Sequence, residues 1–461
     1  MMETMQLKEV AAALGAEPGR YADADITNIT IDSREAGEGT LFFAIQGERF
    51  DAHDFVTDVL AKGAVAAVCS RPIEGADADR ILLVPDTRLA FLALAGYYRA
   101  KFDIPVVGLT GSVGKTPTKE MVAAVLAQKY KTLATQGNFN NEIGLPKMCF
   151  RLDGSYEAAV FEMGMSGFGE ISRLTAAARP TVGIITNIGV SHIEKLGSRE
   201  GILKAKMEIL EGMSPDAPLL INGDNDLLPE GVKGISNPVV VCGISCSDAD
   251  CRAENIVQGQ ESMRFDICYR GERHAVTLPA VGTHNVYNAC IAFACGMLLG
   301  VSPEQAVKGL AGYVPTGMRQ KIVRRGGVTV IEDCYNASPD SIKASLGVLR
   351  DSDGSRKTAV LGDMKELGSY SRQAHLECGK AAADHHVDVL LALGEEAKAY
   401  IEGADGGVPT VLHFDDKAAL AETLCDMLRE GDTVLFKASR AMKLEEVIAS
   451  VYEALPDSSG N

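Results

Sequence analysis

The sequence predicts an α/β protein of three domains: a small mixed α/β unit at the N-terminal end, a central parallel sheet covered by helices, and a further α/β unit at the C-terminal end. Three observations lead there. The chain has 461 residues, more than one ordinary hydrophobic core serves. From Ile104 onward, short apolar runs alternate with helical periodicity. The same succession restarts after Gly317, and no short-period repeat runs through the chain. The boundaries that follow are residues 1–85, 86–314 and 315–461.

In the first unit, Gly39-Thr40-Leu41-Phe42-Phe43-Ala44-Ile45 and Gly63-Ala64-Val65-Ala66-Ala67-Val68 read as strands. Leu89 to Tyr98 has helical spacing and leads into the central unit. There, Ile104-Pro105-Val106-Val107-Gly108-Leu109-Thr110 is a buried strand, followed by a turn and a helix over residues 116–128. Met121, Val122, Val125 and Leu126 fall on one face of that helix, with Lys119 and Glu120 on the other. Ala158-Ala159-Val160-Phe161 and Val182-Gly183-Ile184-Ile185-Thr186 are further strands. In the last unit, strands begin near Val328, Thr358, Val387 and Thr433, separated by helices over residues 371–384, 416–429 and 442–453. Ser458-Ser459-Gly460-Asn461 is a polar tail.

Composition narrows the function. Hydrophobic residues make up 46% and charged residues 23%, as in soluble globular proteins. No apolar stretch is long enough to cross a membrane, and the N-terminal residues lack a secretory pattern, so a cytoplasmic protein without membrane insertion is expected. The net charge of -17 without a basic run excludes a nucleic-acid track. It leaves room for a nucleotide, which a few backbone amides and one lysine can hold. The eleven cysteines are scattered; Cys242, Cys246 and Cys251 have spacings that fit zinc poorly, and reduced, mostly buried thiols are expected.

The sharpest local signal is Thr110-Gly111-Ser112-Val113-Gly114-Lys115-Thr116, between a strand and a helix. Glycines at 111 and 114 let backbone amides turn toward phosphate oxygens, and the helix N-terminus adds partial positive charge. Lys115 supplies a cation for the terminal phosphates, and the Thr116 hydroxyl is placed to bind magnesium. Leu109 stands where the standard loop has its first glycine. Pro117 falls in the first helical turn, where a missing N–H matters little.

This loop resembles that of the Mur ligases, and further segments follow in that family's order. Gln136-Gly137-Asn138-Phe139-Asn140-Asn141-Glu142-Ile143-Gly144 is similar to the family's segment at the UDP-sugar peptide. Phe161-Glu162-Met163-Gly164 places a carboxylate at a strand end, Asn187-Ile188-Gly189-Val190-Ser191-His192 a histidine beyond another, and Lys204-Ala205-Lys206-Met207-Glu208 a lysine on a helix. Gly282-Thr283-His284-Asn285-Val286-Tyr287-Asn288-Ala289 resembles the family's motif near adenine. Taken singly, Glu162 reads as a surface carboxylate, His192 as a loop residue and Lys206 as a solvated helix face. Ile31-Asp32-Ser33-Arg34 and Asp51-Ala52-His53-Asp54-Phe55 resemble an N-terminal UDP-binding domain. Asp333-Cys334-Tyr335-Asn336-Ala337-Ser338-Pro339-Asp340-Ser341 and Leu361-Gly362-Asp363-Met364-Lys365-Glu366-Leu367-Gly368 are similar to segments of the family member that adds D-alanyl-D-alanine. Pro117 replaces a usual threonine, Ser338 an asparagine, and Lys437-Ala438-Ser439-Arg440-Ala441-Met442 has alanine where glycine is usual.

The resemblance implies an N-terminal UDP-binding domain, a central P-loop ATPase domain and a C-terminal Rossmann-like domain. It implies an ATP-dependent ligase that adds D-alanyl-D-alanine to UDP-N-acetylmuramoyl-tripeptide through an acyl phosphate. Lys115, Glu162, His192 and Lys206 would be catalytic. Two magnesium ions would be held by Thr116, Glu162, His192 and Lys206, the lysine as its carbamate. ATP would meet residues 110–116 (Thr110, Gly111, Ser112, Val113, Gly114, Lys115 and Thr116), Asn285 and Asn288, and, on domain closure about Thr316-Gly317, Arg319, Asp333 and Tyr335. Ser33 and Arg34 would take the UDP end, Asn138, Asn140 and Asn141 the peptide side, and Asn336 and Ser338 the dipeptide. A monomer acting on small molecules is expected. The alternatives are a diaminopimelate- or lysine-adding relative, or a nucleotide-binding module without catalysis.

Overall fold

The computed structural model describes residues 2–47 and 49–455, so the polar tail Ser458–Asn461 lies outside the described residues. Three sheets organise them, beside a short antiparallel pair, Met5–Gln6 with Asp25–Ile26. The first is four-stranded and wholly parallel, in the order Asn28–Thr30, Thr40–Phe43, Ala66–Cys69, Ile81–Leu83. Helix Thr87–Arg99 follows, its N-terminus capped by the Asp86 carboxylate, which accepts from the amides of Arg88 and Leu89.

The central sheet has nine strands. Strand Val106–Thr110 lies between Ala158–Glu162 on one side and Val182–Ile185 on the other. The chain thus builds one side of Val106–Thr110 and then the other, which opens a crevice at the carboxyl ends of these strands. Parallel pairing continues through Leu219–Asn222 and Val239–Gly243 to Cys251–Gln258. From there an antiparallel ribbon, Cys251–Gln258, Met263–Tyr269 and Glu272–Leu278, extends the sheet. The expected parallel core is present, and the ribbon is an addition. Its strands alternate buried and half-exposed residues, the signature of a sheet with one wet face.

The third sheet runs Lys321–Arg325, Val328–Glu332, Asp432–Lys437, Arg356–Gly362, Val389–Leu393, Thr410–Phe414, antiparallel only at its first pair. Helices Pro339–Arg350, Ser371–Asp384, Lys417–Met427 and Glu445–Ala454 cover it.

The units are joined in two ways. Phe43 of the first sheet stacks edge-on against Phe91 with centroids 5.0 Å apart, and Phe91 meets Phe150 of the central unit at 5.5 Å. One continuous apolar cluster runs from Leu41 and Phe43 through Phe91 to Leu145, Met148 and Phe161. The C-terminal sheet has a core on each face; one of them takes in Val190 and Val281 of the central unit, and beside this apolar contact the two units enclose a cavity.

Helices Ser371–Asp384 and Lys398–Ala404 pack backbone to backbone. A Cβ on Gly379 would lie 2.0 Å from the Tyr400 carbonyl oxygen, and one on Gly403 2.0 Å from that of Leu376. Backbone cannot yield as a side-chain tip can, so the helices must part. Gly379→Ala is expected to lower stability by about 1–3 kcal/mol despite alanine's better helix propensity. The urea midpoint measures it; an unchanged midpoint would contradict this packing.

Candidate active site

Strand Val106–Thr110 ends in the glycine-bearing loop, and helix Lys115–Leu126 begins directly after Gly114. Gly114 has φ +82°, and a Cβ there would lie 2.9 Å from Asn288 Oδ1. A Cβ on Gly111 would lie 1.9 Å from Thr186 Oγ1. The neighbouring strand end holds the loop. The Ser112 amide donates to the Asn187 carbonyl (3.0 Å), the Val113 amide to Asn187 Oδ1 (2.7 Å), and the Thr186 hydroxyl to the Val113 carbonyl (2.6 Å). The Thr110 hydroxyl, buried beneath the loop, has no partner, and such a group is completed by water or a ligand.

Glu162 ends the next strand and is buried. The Thr116 hydroxyl donates to its Oε2 and Asn140 Nδ2 to its Oε1, both at 2.8 Å. Lys115 Nζ reaches back to the Gly111 carbonyl at 2.8 Å. Burial lowers the Lys115 pKa, Glu162 opposes that, and Arg319 adds to it. Lys206, on helix Arg199–Met207, is 2% exposed and has no hydrogen bond or ion pair among the described residues. Burial drives its pKa well below the usual lysine range, and the Lys115 charge drives it further. His192, in the left-handed region at φ +63°, carries an ion pair from Nδ1 to Glu366 of the C-terminal unit at 2.6 Å. This hydrogen bond lowers the Glu366 pKa.

A cavity of about 830 Å³ lies between the central and C-terminal sheets. Its central wall includes Ser112, Val113, Gly114, Lys115, Thr116, Glu162, Asn140, Asn141 and His192. Asn285 and Asn288 enter from helix Thr283–Leu298. Asn288 Oδ1 accepts from the Thr118 hydroxyl at 3.0 Å, and Asn285 Nδ2 donates to the Val281 carbonyl at 2.8 Å. The C-terminal wall includes Arg319, Asp333, Tyr335, Asn336 and Ser338. The Arg319 guanidinium stacks over the Tyr335 ring at 3.9 Å. Asp333 accepts from the buried Lys437 ammonium at 2.7 Å and the Ser345 hydroxyl at 2.5 Å. Ser338 caps helix Pro339–Arg350 in a capping box with Ser341.

The cavity does not gather every residue singled out in the sequence. Thr110 and Gly111 lie at the loop's base, and Lys206 is not among the lining residues, although the Lys115 charge acts on it. Asn138 is exposed outside the cavity. Ser33 and Arg34 lie in the N-terminal unit; Arg34 binds Asp32 through Nε at 2.8 Å, and the Ser33 carbonyl accepts from Lys62. Other residues join the site that sequence patterns did not assign roles. Gln320 Oε1 bonds His284 Nε2 at 3.0 Å and accepts from Asn285 at 3.2 Å; Asn187, Glu366 and Lys437 also contribute. Asn187, Glu366 and Lys437 stand inside segments noted above, which was their available signal; Gln320 carried none.

The loop that bears Glu366 is tied by the Ser439 hydroxyl, which accepts from the Lys365 amide at 2.9 Å, and by a buried histidine. His375 Nε2 accepts from the Met364 amide at 3.0 Å, and Nδ1 contacts the Ser371 carbonyl at 2.8 Å, so the neutral Nδ1–H tautomer satisfies both. Burial lowers the His375 pKa.

Comparison with known proteins agrees with this geometry. Family models match residues 25–95 (Mur ligase family, catalytic domain), 109–296 (Mur ligase middle domain) and 318–440 (Mur ligase, glutamate ligase domain). The chain is 38% identical over 440 residues to a UDP-N-acetylmuramoyl-tripeptide–D-alanyl-D-alanine ligase of Bacillus subtilis, covering 94% of this chain and 95% of the relative. It is 38% identical over 443 residues to the like-named protein of Escherichia coli, covering 94% and 96%. Among solved structures, a MurF from Acinetobacter baumannii superposes with a TM-score of 0.92 at 34% identity, covering 98% of this chain and 99% of that one. A MurF ligase from Thermotoga maritima in complex with ADP gives 0.84 at 30% identity, covering 93% and 97%.

The neutral His375 makes a prediction about acid. A base whose folded pKa is depressed binds fewer protons folded than unfolded. Its contribution is therefore intact above the unfolded value of about 6.5 and is lost as pH falls below it. Between about pH 7.5 and about pH 5.5, the urea midpoint of the wild type should fall more than that of His375→Gln. Equal falls would show that His375 is not held neutral.

Proposed function

The chain belongs to the Mur ligase family, and from that premise we propose that it joins D-alanyl-D-alanine to UDP-N-acetylmuramoyl-tripeptide with ATP, the last cytoplasmic peptide addition of peptidoglycan synthesis. One observation carries the reading. A single cavity brings the phosphate loop and Glu162 opposite the Asp333–Ser338 segment, which resembles that of the D-alanyl-D-alanine-adding ligases.

The chemistry needs the tripeptide carboxylate turned into one with a good leaving group. Its oxygen takes the γ-phosphoryl group, the bond to the β-phosphate breaks, and ADP leaves. The dipeptide amine then attacks the acyl carbon, a C–N bond forms, the C–O bond to phosphate breaks, and the amine loses a proton. Both steps concentrate negative charge, so cations and positioning dominate. Residues 110–116 cradle the phosphates, with the Lys115 ammonium at the β- and γ-groups. Asn285 and Asn288 take the adenosine side. Arg319, held flat on Tyr335, and Asp333, fixed by Lys437, approach from the C-terminal unit. Gly317, at φ +67°, lies in the connection and serves as the hinge about which residues 315–461 close on 86–314. Ser33 and Arg34 of residues 1–85 take the UDP end, Asn138, Asn140 and Asn141 the peptide, and Asn336 and Ser338 the dipeptide.

The donors present fit magnesium. Thr116 and Glu162 offer hard oxygens 2.8 Å apart, and magnesium commonly takes one or two carboxylates, completing its shell with phosphate and water. At a second position, Glu162 and His192 need another anionic donor, because no three His, Cys, Asp or Glu converge among the described residues. A carbamate on Lys206 supplies it. Burial and the Lys115 charge lower the Lys206 pKa and so favour the uncharged amine that carbon dioxide modifies, and modification would turn a repelling cation into a ligand. Magnesium held by these residues would supply positive charge against the phosphates and the acceptor carboxylate.

The protein acts as a monomer in the cytoplasm. The eleven cysteines are all free, as a reducing compartment requires, and no helix among the described residues is long and apolar enough to cross a membrane.

Phosphate release from ATP should require both UDP-tripeptide and D-alanyl-D-alanine and should yield a UDP-pentapeptide; ADP binding without dipeptide-dependent turnover would refute the assignment. Lys206→Ala should lose on the order of 100-fold or more in turnover while still binding ADP. Full activity in that variant would remove Lys206 from the metal site.

A further inference from the structure

His192 and Glu366 meet across the seam between the central and C-terminal units. His192 follows the strand Val182–Ile185 and heads the short helix Ile193–Leu196. Glu366 follows the strand Arg356–Gly362 of the C-terminal unit, which faces the central one across the cavity. Both residues sit in the left-handed region, at φ +63° and +64°, where side chains other than glycine are seldom found. Such backbones persist only where surrounding contacts fix them. The contact is fixed from below as well: a Cβ on Gly368 would lie 2.9 Å from Glu194 Cγ, so the Glu366 loop rests directly on the His192 turn. His375 pins the start of that loop through the Met364 amide.

The direction of the contact matters. Nδ1 of His192 faces the carboxylate at 2.6 Å, and Nε2 makes no hydrogen bond to another described residue. A neutral imidazole carries its proton on one nitrogen and a lone pair on the other. A carboxylate at Nδ1 draws the proton there and leaves the lone pair on Nε2, the nitrogen that remains for a ligand.

We propose that Glu366 is a positioning residue for the metal-binding side of the site: by accepting the Nδ1 proton of His192 it fixes the tautomer in which Nε2 is a donor, and it does so only while the C-terminal unit is docked. The inference rests on the assignment of His192 to magnesium above. It joins two events that the fold keeps on separate elements, closure of the C-terminal unit and readiness of the metal site. With the units apart, His192 has no carboxylate at Nδ1, and both tautomers are open to it.

The test uses the full-length protein. Long-range 15N–1H spectra of histidine-labelled, metal-free protein read the tautomer directly, with the His192 resonance assigned by its loss in His192→Ala. Wild type should show Nδ1–H at His192, and Glu366→Ala should show a mixture of tautomers or Nε2–H. With ATP saturating, the magnesium concentration for half-maximal turnover should rise roughly 10–100-fold in Glu366→Ala, the usual effect of removing an outer-shell partner of a metal ligand. Glu366→Gln, which keeps an acceptor oxygen without the charge, should give a smaller rise. The double variant with His192→Ala should be no worse than His192→Ala alone, because Glu366 acts through that ring. An unchanged tautomer and magnesium dependence in Glu366→Ala would overturn the proposal. A His192→Ala protein with wild-type magnesium dependence would instead overturn the metal reading beneath it, whatever the tautomer shows.

Discussion

Lys206 is buried with no anion bonded to it among the described residues, and the charge that acts on it is another cation, Lys115. A charged Lys206 beside Lys115 would be repelled and would lose hydration, so burial there favours the uncharged amine unless anions enter. Glu162 offsets part of this, but its oxygens are already engaged by Thr116 and Asn140. The site is therefore short of negative charge. Nucleotide phosphates, a carboxylate substrate and a carbamate on Lys206 would all supply it. Read in this way, the glycines of the loop, the strand-end carboxylate and the lone buried lysine answer one electrostatic requirement.

The two seams of the molecule differ in physical kind, and the difference follows the division of labour. Between the N-terminal and central units the contact is apolar and continuous, through Phe43, Phe91 and Phe150. Separating such surfaces exposes apolar area to water at roughly 25 cal/mol per Å², so this seam holds its geometry. Between the central and C-terminal units a smaller apolar contact, Val190 and Val281 against the C-terminal core, adjoins ion pairs, hydrogen bonds and a cavity. Polar contacts exchange for water at little net change in free energy, so this seam is held less firmly than the other. In the proposed function, a long substrate anchored at one end would be held by the apolar seam, while the looser one would admit ATP and the dipeptide.

Local chemistry was legible in the sequence, and pairings across the fold were not. The loop at residues 110–116 could be read because its glycines and lysine are neighbours in the chain. Glu162 and His192 could be placed at strand ends, since apolar runs stop there. The helical stretch expected near residues 371–384 coincides with helix Ser371–Asp384. Lys206 by itself read as a solvated helix face, because no local pattern shows that tertiary packing closes over it. Ser338 read as a ligand contact, whereas its hydroxyl also caps a helix, a role signalled by Pro339 and Ser341. The antiparallel ribbon at residues 251–278 lacked a strong turn signal, and partnership between Glu366 and His192 depends on which loops meet at the seam.

Those hidden pairings connect into a chain of support that runs from a core to the site. Close packing at Gly379 and Gly403 locks helix Ser371–Asp384 against its neighbour. That helix fixes His375, whose ring orders the loop after strand Arg356–Gly362 through the Met364 amide. The loop carries Glu366 to His192, and His192 stands on the cavity wall beside the phosphate loop. Each link is short and directional, and the last one is polar and exposed enough to break when the units part. A rigid C-terminal core thus delivers one carboxylate to one imidazole. The segment around Glu366 touches no reacting atom in this arrangement, and its place in the fold follows from what it does to the side chain that would.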